Sequence, residues 1–185
     1  MIRLDHVYKG FNGNAVLEDI SLALPEKGFC AITGRSGRGK TTLLYLIAGL
    51  YKPDRGSIQR NGETISMVFQ EDRLLPFKTV LENITLIGAE KETALYMLAQ
   101  LGIAEAADKY PSELSGGMRR RAAIARALSA EYGCLILDEP FAGLDKENIE
   151  RAAALISESV GERTLIAVTH SEREAELLGA EIIML

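Results

Sequence analysis

Residues 34–41 read Gly-Arg-Ser-Gly-Arg-Gly-Lys-Thr and fit the GxxxxGK[ST] pattern of a phosphate-binding loop. The glycines allow the backbone to turn tightly and to point its N–H groups at a bound anion. Lys40 can place its charge between two phosphates, and the Thr41 hydroxyl can bind Mg²⁺. The apolar run 29–33 predicts a buried strand before the loop, and residues 41–49 predict a helix after it. Because a helix N-terminus adds partial positive charge, this arrangement predicts nucleotide binding.

The charge balance argues against nucleic acid as a partner. The chain has 21 basic and 26 acidic residues and a net charge of −5, whereas nucleic-acid-binding domains are usually basic. Its 185 residues are enough for one domain with a sizeable core. The composition therefore indicates a globular domain with no nucleic-acid partner, and it leaves protein partners open.

The sequence predicts neither a signal peptide nor a membrane-spanning helix. Residues 1–5 lead directly into strand-like alternation, and the longest apolar run is residues 43–50. A bilayer-spanning helix needs ~18 apolar residues, so we expect membrane association to go through another protein. We interpret Cys30 and Cys134 as small core residues of predicted strands in a reducing cytosol, not as a disulfide or metal site.

The first third of the chain predicts a β-layer beside the nucleotide-binding strand. Strand-like sequence with turn signals fills residues 1–33. Farther on, Asn61-Gly62 is a strong turn dipeptide and predicts a β-hairpin between strands 57–60 and 64–69. We therefore expect a small antiparallel β-subdomain.

The rest of the chain predicts a helical insertion followed by an alternation of strands and helices. Residues 79–128 have helical periodicity, whereas strands at 134–137 and 164–168 alternate with helices at 146–160 and 171–178. Such alternation indicates an α/β fold with a parallel core sheet. We expect a single domain, 1–185, in which 1–70 and 131–185 form the core with the β-subdomain and about 71–130 form an inserted helical subdomain.

Two adjacent carboxylates follow the predicted strand 134–137. Asp138 stands at the strand end, where it can hold Mg²⁺ directly or through water. Glu139 is offset by one residue, points to another side, and could polarise an attacking water. Adjacent acids are also common as ordinary surface residues, so this interpretation depends on the phosphate-binding loop.

Two further polar side chains follow predicted strands. His170 comes after strand 164–168, at the edge where parallel α/β sheets bind ligands, and could bond a γ-phosphate or hold the water. Gln70 ends strand 64–69, and its amide could reach Mg²⁺ or the water. At such positions histidine is often structural and glutamine is often merely solvated.

A Ser-Gly-Gly turn precedes a long Ala- and Arg-rich helix. Ser115, Gly116 and Gly117 offer a hydroxyl and free N–H groups to an anion, although Ser115 also fits as an ordinary N-cap. As a second phosphate site far from residues 34–41, this turn would need a partner molecule to bring the nucleotide to it.

In these motifs and their order, the chain resembles the ATP-binding-cassette ATPases, the nucleotide-binding subunits of ABC transporters. The resemblance covers essentially the whole chain, and its signature motif is specific to that family. By this resemblance, residues 34–41 are the Walker A loop, Gln70 the Q-loop, 114–118 the signature, 135–139 Walker B, 142–145 the D-loop and His170 the switch histidine. Phe11 matches the aromatic residue that stacks on adenine.

The resemblance implies a P-loop NTPase fold that binds ATP and Mg²⁺ and hydrolyses ATP. It implies a head-to-tail dimer, either a heterodimer or, as we expect, a homodimer. It also implies an integral membrane permease as partner and a cytoplasmic location on the inner face of the cell membrane. The implied catalytic residues are Glu139, His170, Gln70 and Lys40, and the implied metal ligands are Thr41, Gln70 and Asp138. The implied nucleotide-binding residues are Phe11, Gly34, Arg35, Ser36, Gly37, Arg38, Gly39, Lys40, Thr41, Thr42, Ser115, Gly116 and Gly117.

A few positions depart from the usual family pattern. Met118 stands where glutamine is usual, and with residues 70–77 it resembles the importer ATPases for nitrate, sulfonate and taurine. Phe11 replaces the commoner tyrosine, which keeps the stacking surface and removes a hydroxyl. The chain ends at Leu185, soon after His170, where the family normally continues with further strands and helices.

Other classes of protein stay open at this point. A soluble regulator or mechanoenzyme of the same type usually has two cassettes or a long coiled-coil insert, and this sequence has neither. A non-hydrolysing nucleotide sensor would not need Glu139 and His170, and a small-molecule kinase would not need the Ser-Gly-Gly turn.

Residues 119–121 are three arginines that point to different sides of a helix, so we interpret them as a solvated or salt-bridged face rather than a nucleic-acid site.

Overall fold

The structure is a computed structural model, and it describes residues 2–35 and 37–185. The strands are β1 (Ile2–Phe11), β2 (Asn14–Leu24), β3 (Gly28–Thr33), β4 (Arg55–Gln59), β5 (Ile65–Val68), β6 (Cys134–Asp138), β7 (Thr164–Val168) and β8 (Glu181–Met184). The α-helices are α1 (Lys40–Ile47), α2 (Val80–Thr85), α3 (Lys91–Gln100), α4 (Gly116–Ser129), α5 (Lys146–Val160) and α6 (Glu172–Leu178). Short 3₁₀ turns lie at Ala104–Ala106 and Pro111–Glu113.

Two sheets organise the fold. Strands β5, β6, β7, β3 and β8 form a parallel sheet in that spatial order. Strands β2, β1 and β4 form a small antiparallel sheet in that order. The predicted α/β class, with a parallel core sheet and a small antiparallel sheet, is therefore confirmed.

The parallel sheet separates two hydrophobic cores because successive side chains of a strand point to opposite faces. In β6, Cys134 and Ile136 pack with α1 and the antiparallel sheet. Leu135 and Leu137, which alternate with them, pack on the other face with α2 to α6. Cys30 lies on the same face as Cys134, and both thiols are buried as predicted.

The predicted hairpin across Asn61-Gly62 is wrong. β4 pairs antiparallel with β1, whereas β5 pairs parallel with β6, so the two strands belong to different sheets. The turn dipeptide specifies only the local backbone, and Gly62 does adopt a positive φ of 78°. Strand pairing is decided by burial, because β6 is buried along its whole length and needs a neighbour on that edge.

Side-chain caps begin the helices near the predicted motifs. The Ser115 hydroxyl accepts a hydrogen bond from the backbone N–H of Met118 at 3.3 Å and caps α4. Asp145 caps α5 by accepting the Asn148 N–H at 2.9 Å, as predicted. Within the described residues, no helix is both long and apolar enough to cross a membrane.

Candidate nucleotide-binding site

Three neighbouring strands bring the motif residues to one edge of the parallel sheet. The register places Asp138 of β6 beside Val168 of β7, and Val168 beside Ile32 of β3. The Glu139 N–H donates to the Val168 carbonyl at 2.9 Å, so the chain stays paired just beyond the strand end. Because the loops that leave these strands begin at the same level, their side chains converge at the carboxyl edge.

A cavity of about 350 Å³ opens at this edge. Sequence-predicted residues from four segments line it, and Val16 of β2 completes the wall. The lining consists of Val16, Gly37, Gly39, Lys40, Thr41, Thr42, Gln70, Glu139 and His170. The structure therefore brings together predicted site residues that are up to 133 positions apart, from Gly37 to His170.

The backbone of the phosphate-binding loop requires glycine where it meets α1. Gly39 has a φ of 82°, and a Cβ placed on it would lie 2.8 Å from a Leu17 methyl group and 2.9 Å from one of Val16. Both conformation and space therefore exclude a side chain. The next residue, Lys40, is 5% exposed, and its Nζ donates to the carbonyls of Gly34 at 2.9 Å and Arg35 at 3.1 Å.

Asp138 lies beneath the cavity with its carboxylate only half satisfied. Its side chain is fully buried, and Oδ1 accepts a hydrogen bond from the Thr41 hydroxyl at 3.2 Å. Oδ2 receives no hydrogen bond from the residues that the structure describes. Burial raises the pKa of Asp138, against the Thr41 hydrogen bond that lowers it.

These oxygens fit a magnesium ion. An orphaned carboxylate oxygen beside a threonine hydroxyl is a hard-oxygen donor set of the kind that Mg²⁺ prefers, with phosphate and water supplying the other ligands. Across residues 2–35 and 37–185, no three His, Cys, Asp or Glu side chains form a metal cage of their own.

Glu139 and His170 form a pair on the cavity wall. The Nε2 atom of His170 lies 2.6 Å from Oε1 of Glu139. Glu139 has a φ of 49°, in the left-handed region that a residue with a side chain rarely adopts. Such strain is held by the surrounding structure and is typical of functional sites. The geometry can hold a carboxylate and an imidazole ready to share one water or phosphate oxygen.

Other predicted residues lie outside the cavity lining. Phe11 contacts Tyr51 edge-to-face, with ring centroids 5.4 Å apart, and remains 38% exposed. The loop also contains Gly34 and the exposed Arg35 and Arg38, but none of these three is part of the described cavity lining. Ser36 lies outside the described part of the chain.

The Ser-Gly-Gly turn is also separate from this cavity. Ser115 and Gly116 are exposed at the beginning of α4, and neither they nor Gly117 appear in the described cavity wall. A Cβ on Gly117 would lie 3.5 Å from the carbonyl oxygen of Gly143, so the turn packs beside the loop that follows β6. One copy of the chain thus holds two potential phosphate-binding elements in different places.

Comparison with known proteins decides the family. A model described as ABC transporter matches residues 17–142. The chain belongs to the ABC transporter family. It is 44% identical to the aliphatic sulfonates import ATP-binding protein SsuB 2 of Agrobacterium fabrum, over 97% of this chain and 73% of that protein. It is 38% identical to the taurine import ATP-binding protein TauB of Escherichia coli O157:H7, over 100% of this chain and 79% of that protein.

A solved ABC structure has the same fold. The ATP-binding cassette MJ0796, in a dimeric post-hydrolysis state bound to ADP and Pi, has a TM-score of 0.92 and 30% identity. The match covers 100% of this chain and 94% of that chain. The likeness therefore extends over the whole of this chain.

Sequence reasoning missed one buried cation of this ABC site. Of the two alternatives for residues 119–121, a solvated face is wrong for Arg120, which is 2% exposed and forms an ion pair with Asp72. A signal was available, because Arg120 lies three, four and seven residues before apolar positions of the same helix face. Those positions are Ala123, Ile124 and Ala127, all of which are buried.

Proposed function

We propose that this chain is the ATP-hydrolysing subunit of an ABC importer and powers solute transport through a separate permease. The observation that carries the proposal is the convergence of Lys40, Thr41, Glu139 and His170 on one cavity above the buried Asp138. The two relatives named as sulfonate and taurine import proteins support import as the process.

ATP would lie with its phosphates in the loop at the N-terminus of α1. Lys40 and the backbone N–H groups of the loop bind the β- and γ-phosphates, and Thr42 completes the loop's end. Glu139 orients the attacking water and accepts its proton, while His170 fixes the carboxylate at 2.6 Å. Phe11 stacks on the adenine ring. Catalysis then rests on positioning and on electrostatic stabilisation of the spreading charge.

Thr41, Asp138 and Gln70 would hold Mg²⁺ at the phosphates. The orphaned Oδ2 of Asp138 gives this assignment its support within the chain. The bound ion would neutralise negative charge on the phosphates during transfer.

Two copies would act together, because Ser115 and Gly117 lie away from the cavity of their own chain. In a head-to-tail dimer, these residues face the γ-phosphate held by the other copy's Lys40. We further propose that residues 71–130 move as a helical subdomain, that its segment 70–77 contacts the permease, and that the chain works at the cytoplasmic face of the membrane.

The test is ATP hydrolysis by the purified chain over a range of protein concentrations. Specific activity is expected to rise with concentration, since two copies complete each site. Glu139→Gln should keep ATP affinity within about threefold and lower kcat by ~10²–10⁴-fold, the usual contribution of a general base. Cells that carry only this variant should lose uptake of a labelled alkanesulfonate.

Glu162→Gln is the matched control. This side chain is 91% exposed and pairs with Lys27 before β7, at the opposite end of the strands, so kcat should not change. A parent chain that binds ATP without turnover at every concentration would indicate a nucleotide sensor instead. Turnover by Glu139→Gln at the parent rate would remove Glu139 from the mechanism.

A further inference from the structure

One buried arginine connects three motifs of the site. Arg120 is on α4, five residues after Ser115, and its guanidinium donates to five backbone carbonyl oxygens. Two belong to the segment after β5: Phe69, at 2.5 Å, and Gln70, at 3.3 Å. The other three follow one another where β6 ends: Asp138 at 2.7 Å, Glu139 at 2.6 Å and Pro140 at 2.9 Å.

The donor set of arginine matches this arrangement. A guanidinium carries five N–H donors in a rigid plane, and five carbonyl oxygens surround it here. Lysine has three donors on one nitrogen and could not reach both groups of carbonyls in the same way. One carboxylate also faces the guanidinium, because Asp72 Oδ1 lies 3.5 Å from Nη1.

Two of the five carbonyls belong to residues that line the cavity. Gln70 and Glu139 both face the cavity, and Arg120 holds the backbone of each. Glu139 needs such support because its φ of 49° is unfavourable for a residue with a side chain. A small rotation there would move its carboxylate away from His170, which lies 2.6 Å from it.

We propose that Arg120 is a positioning residue for ATP hydrolysis: one guanidinium fixes the backbones that present Gln70 and Glu139 and ties both to the helix that begins at Ser115. The proposal rests on the proposed ATPase function. Arg120 is not among the residues that line the cavity and acts only through the two segments that it holds.

A purely structural arginine in the same chain provides the comparison. Arg163 donates to the carbonyls of Tyr132, Ser159 and Val160 and stacks on the Tyr132 ring at 4.3 Å. It precedes β7 and therefore lies at the opposite end of the strands from the cavity. Its loss removes a similar set of backbone hydrogen bonds without touching Gln70 or Glu139.

The experiment measures kcat, KM and ATP affinity for Arg120→Met, Arg120→Lys and Arg163→Met, each with its melting temperature. Arg120→Met is expected to lower kcat by ~10–10²-fold, because a misplaced catalytic group of this kind costs up to about 10²-fold. KM and the ATP dissociation constant should stay within about twofold, since the loop at Lys40 is untouched. Arg120→Lys should recover part of kcat, and Arg163→Met should lower only the melting temperature.

The outcomes separate this proposal from the proposed function. If the parent chain hydrolyses ATP but a folded Arg120→Met keeps kcat within twofold of it, Arg120 does not position the site. Equal losses of kcat in Arg120→Met and Arg163→Met also overturn the proposal, because stability would then explain both. If Arg120→Met does not fold, Arg120→Lys decides, since it keeps the buried charge opposite Asp72. A parent chain without turnover contradicts the ATPase function itself.

Discussion

Replacing Asp138 by asparagine should stabilise the protein without nucleotide and weaken its response to Mg²⁺ and ATP. The carboxylate is fully buried, Oδ2 has no hydrogen bond from a described residue, and Glu139 adds repulsion. Arg120 and Lys40 attract the charge, but burial is the largest influence and the pKa is raised overall. Folding therefore penalises the charged carboxylate, and asparagine removes that charge.

The sign and size of the effect follow from linkage. With its pKa raised above the unfolded value of 3.8, Asp138 binds more protons in the folded state, so stability falls as pH rises through the interval between the two pKa values. Above that interval, the free-energy cost of burying the charged carboxylate no longer changes with pH. A buried, unsatisfied polar group costs about 1–3 kcal/mol. Because asparagine removes the charge but leaves a buried amide, it should recover only part of this cost. We therefore expect the free energy of unfolding to rise by about 1–2 kcal/mol at pH 7. In a domain of this size, that gain raises Tm by about 2–8 °C.

Urea unfolding at pH 7 and at pH 4 measures the gain with and without Mg²⁺ and ATP. At pH 7, Asp138→Asn should be the more stable chain alone, whereas the parent should gain more from saturating ligand, about 2.7 kcal/mol at 100 times Kd. The gain should shrink at pH 4. Asp145→Asn is the matched control, because hydrogen bonds from Asn148 lower the pKa of Asp145, and it should bring no gain.

One result would refute this reasoning. If Asp138→Asn unfolds at a lower urea concentration than the parent at pH 7 without ligand, the carboxylate is stabilising and its burial is compensated. An unchanged response to Mg²⁺ and ATP would independently remove Asp138 from the proposed metal site. The two halves of the prediction can therefore fail separately.

Three further predictions use other parts of the chain. Ser115→Ala should lower kcat without weakening ATP binding to the monomer, and it should cost about 1 kcal/mol of stability through the lost cap; an equal loss of monomer binding would contradict action across a dimer. Burial raises the pKa of Cys30 and of Cys134 to about 12, so a thiol reagent at pH 8 should label neither until the chain unfolds. The hydrogen bond that His6 donates to the Asp19 carboxylate raises the pKa of His6 above 6.5; Asp19→Asn should lower this pKa in an NMR titration, and the stability from this exposed pair should be lost as pH rises through the folded pKa.

The secondary structure near the motifs could be predicted closely from sequence. The helix at 146–160 and its Asp145 cap were visible because periodicity and capping are local properties. The strand at 134–137 was visible because an apolar run between turn signals leaves few alternatives, and the structure extends it to Asp138. The hairpin at Asn61-Gly62 failed because a turn dipeptide carries no information about which sheet buries each strand.

The sequence by itself determined the chemistry, because the phosphate-binding loop and the strand-end carboxylates are short contiguous patterns with fixed backbone needs. Only the tertiary structure decided how they meet. Strand order places His170 against Glu139 across 31 positions of sequence, and packing turns Arg120 inward while its neighbour Arg119 stays 41% exposed. Contacts of this kind depend on which long-range pairings minimise exposed apolar surface and unpaired polar groups, and no local pattern specifies that balance.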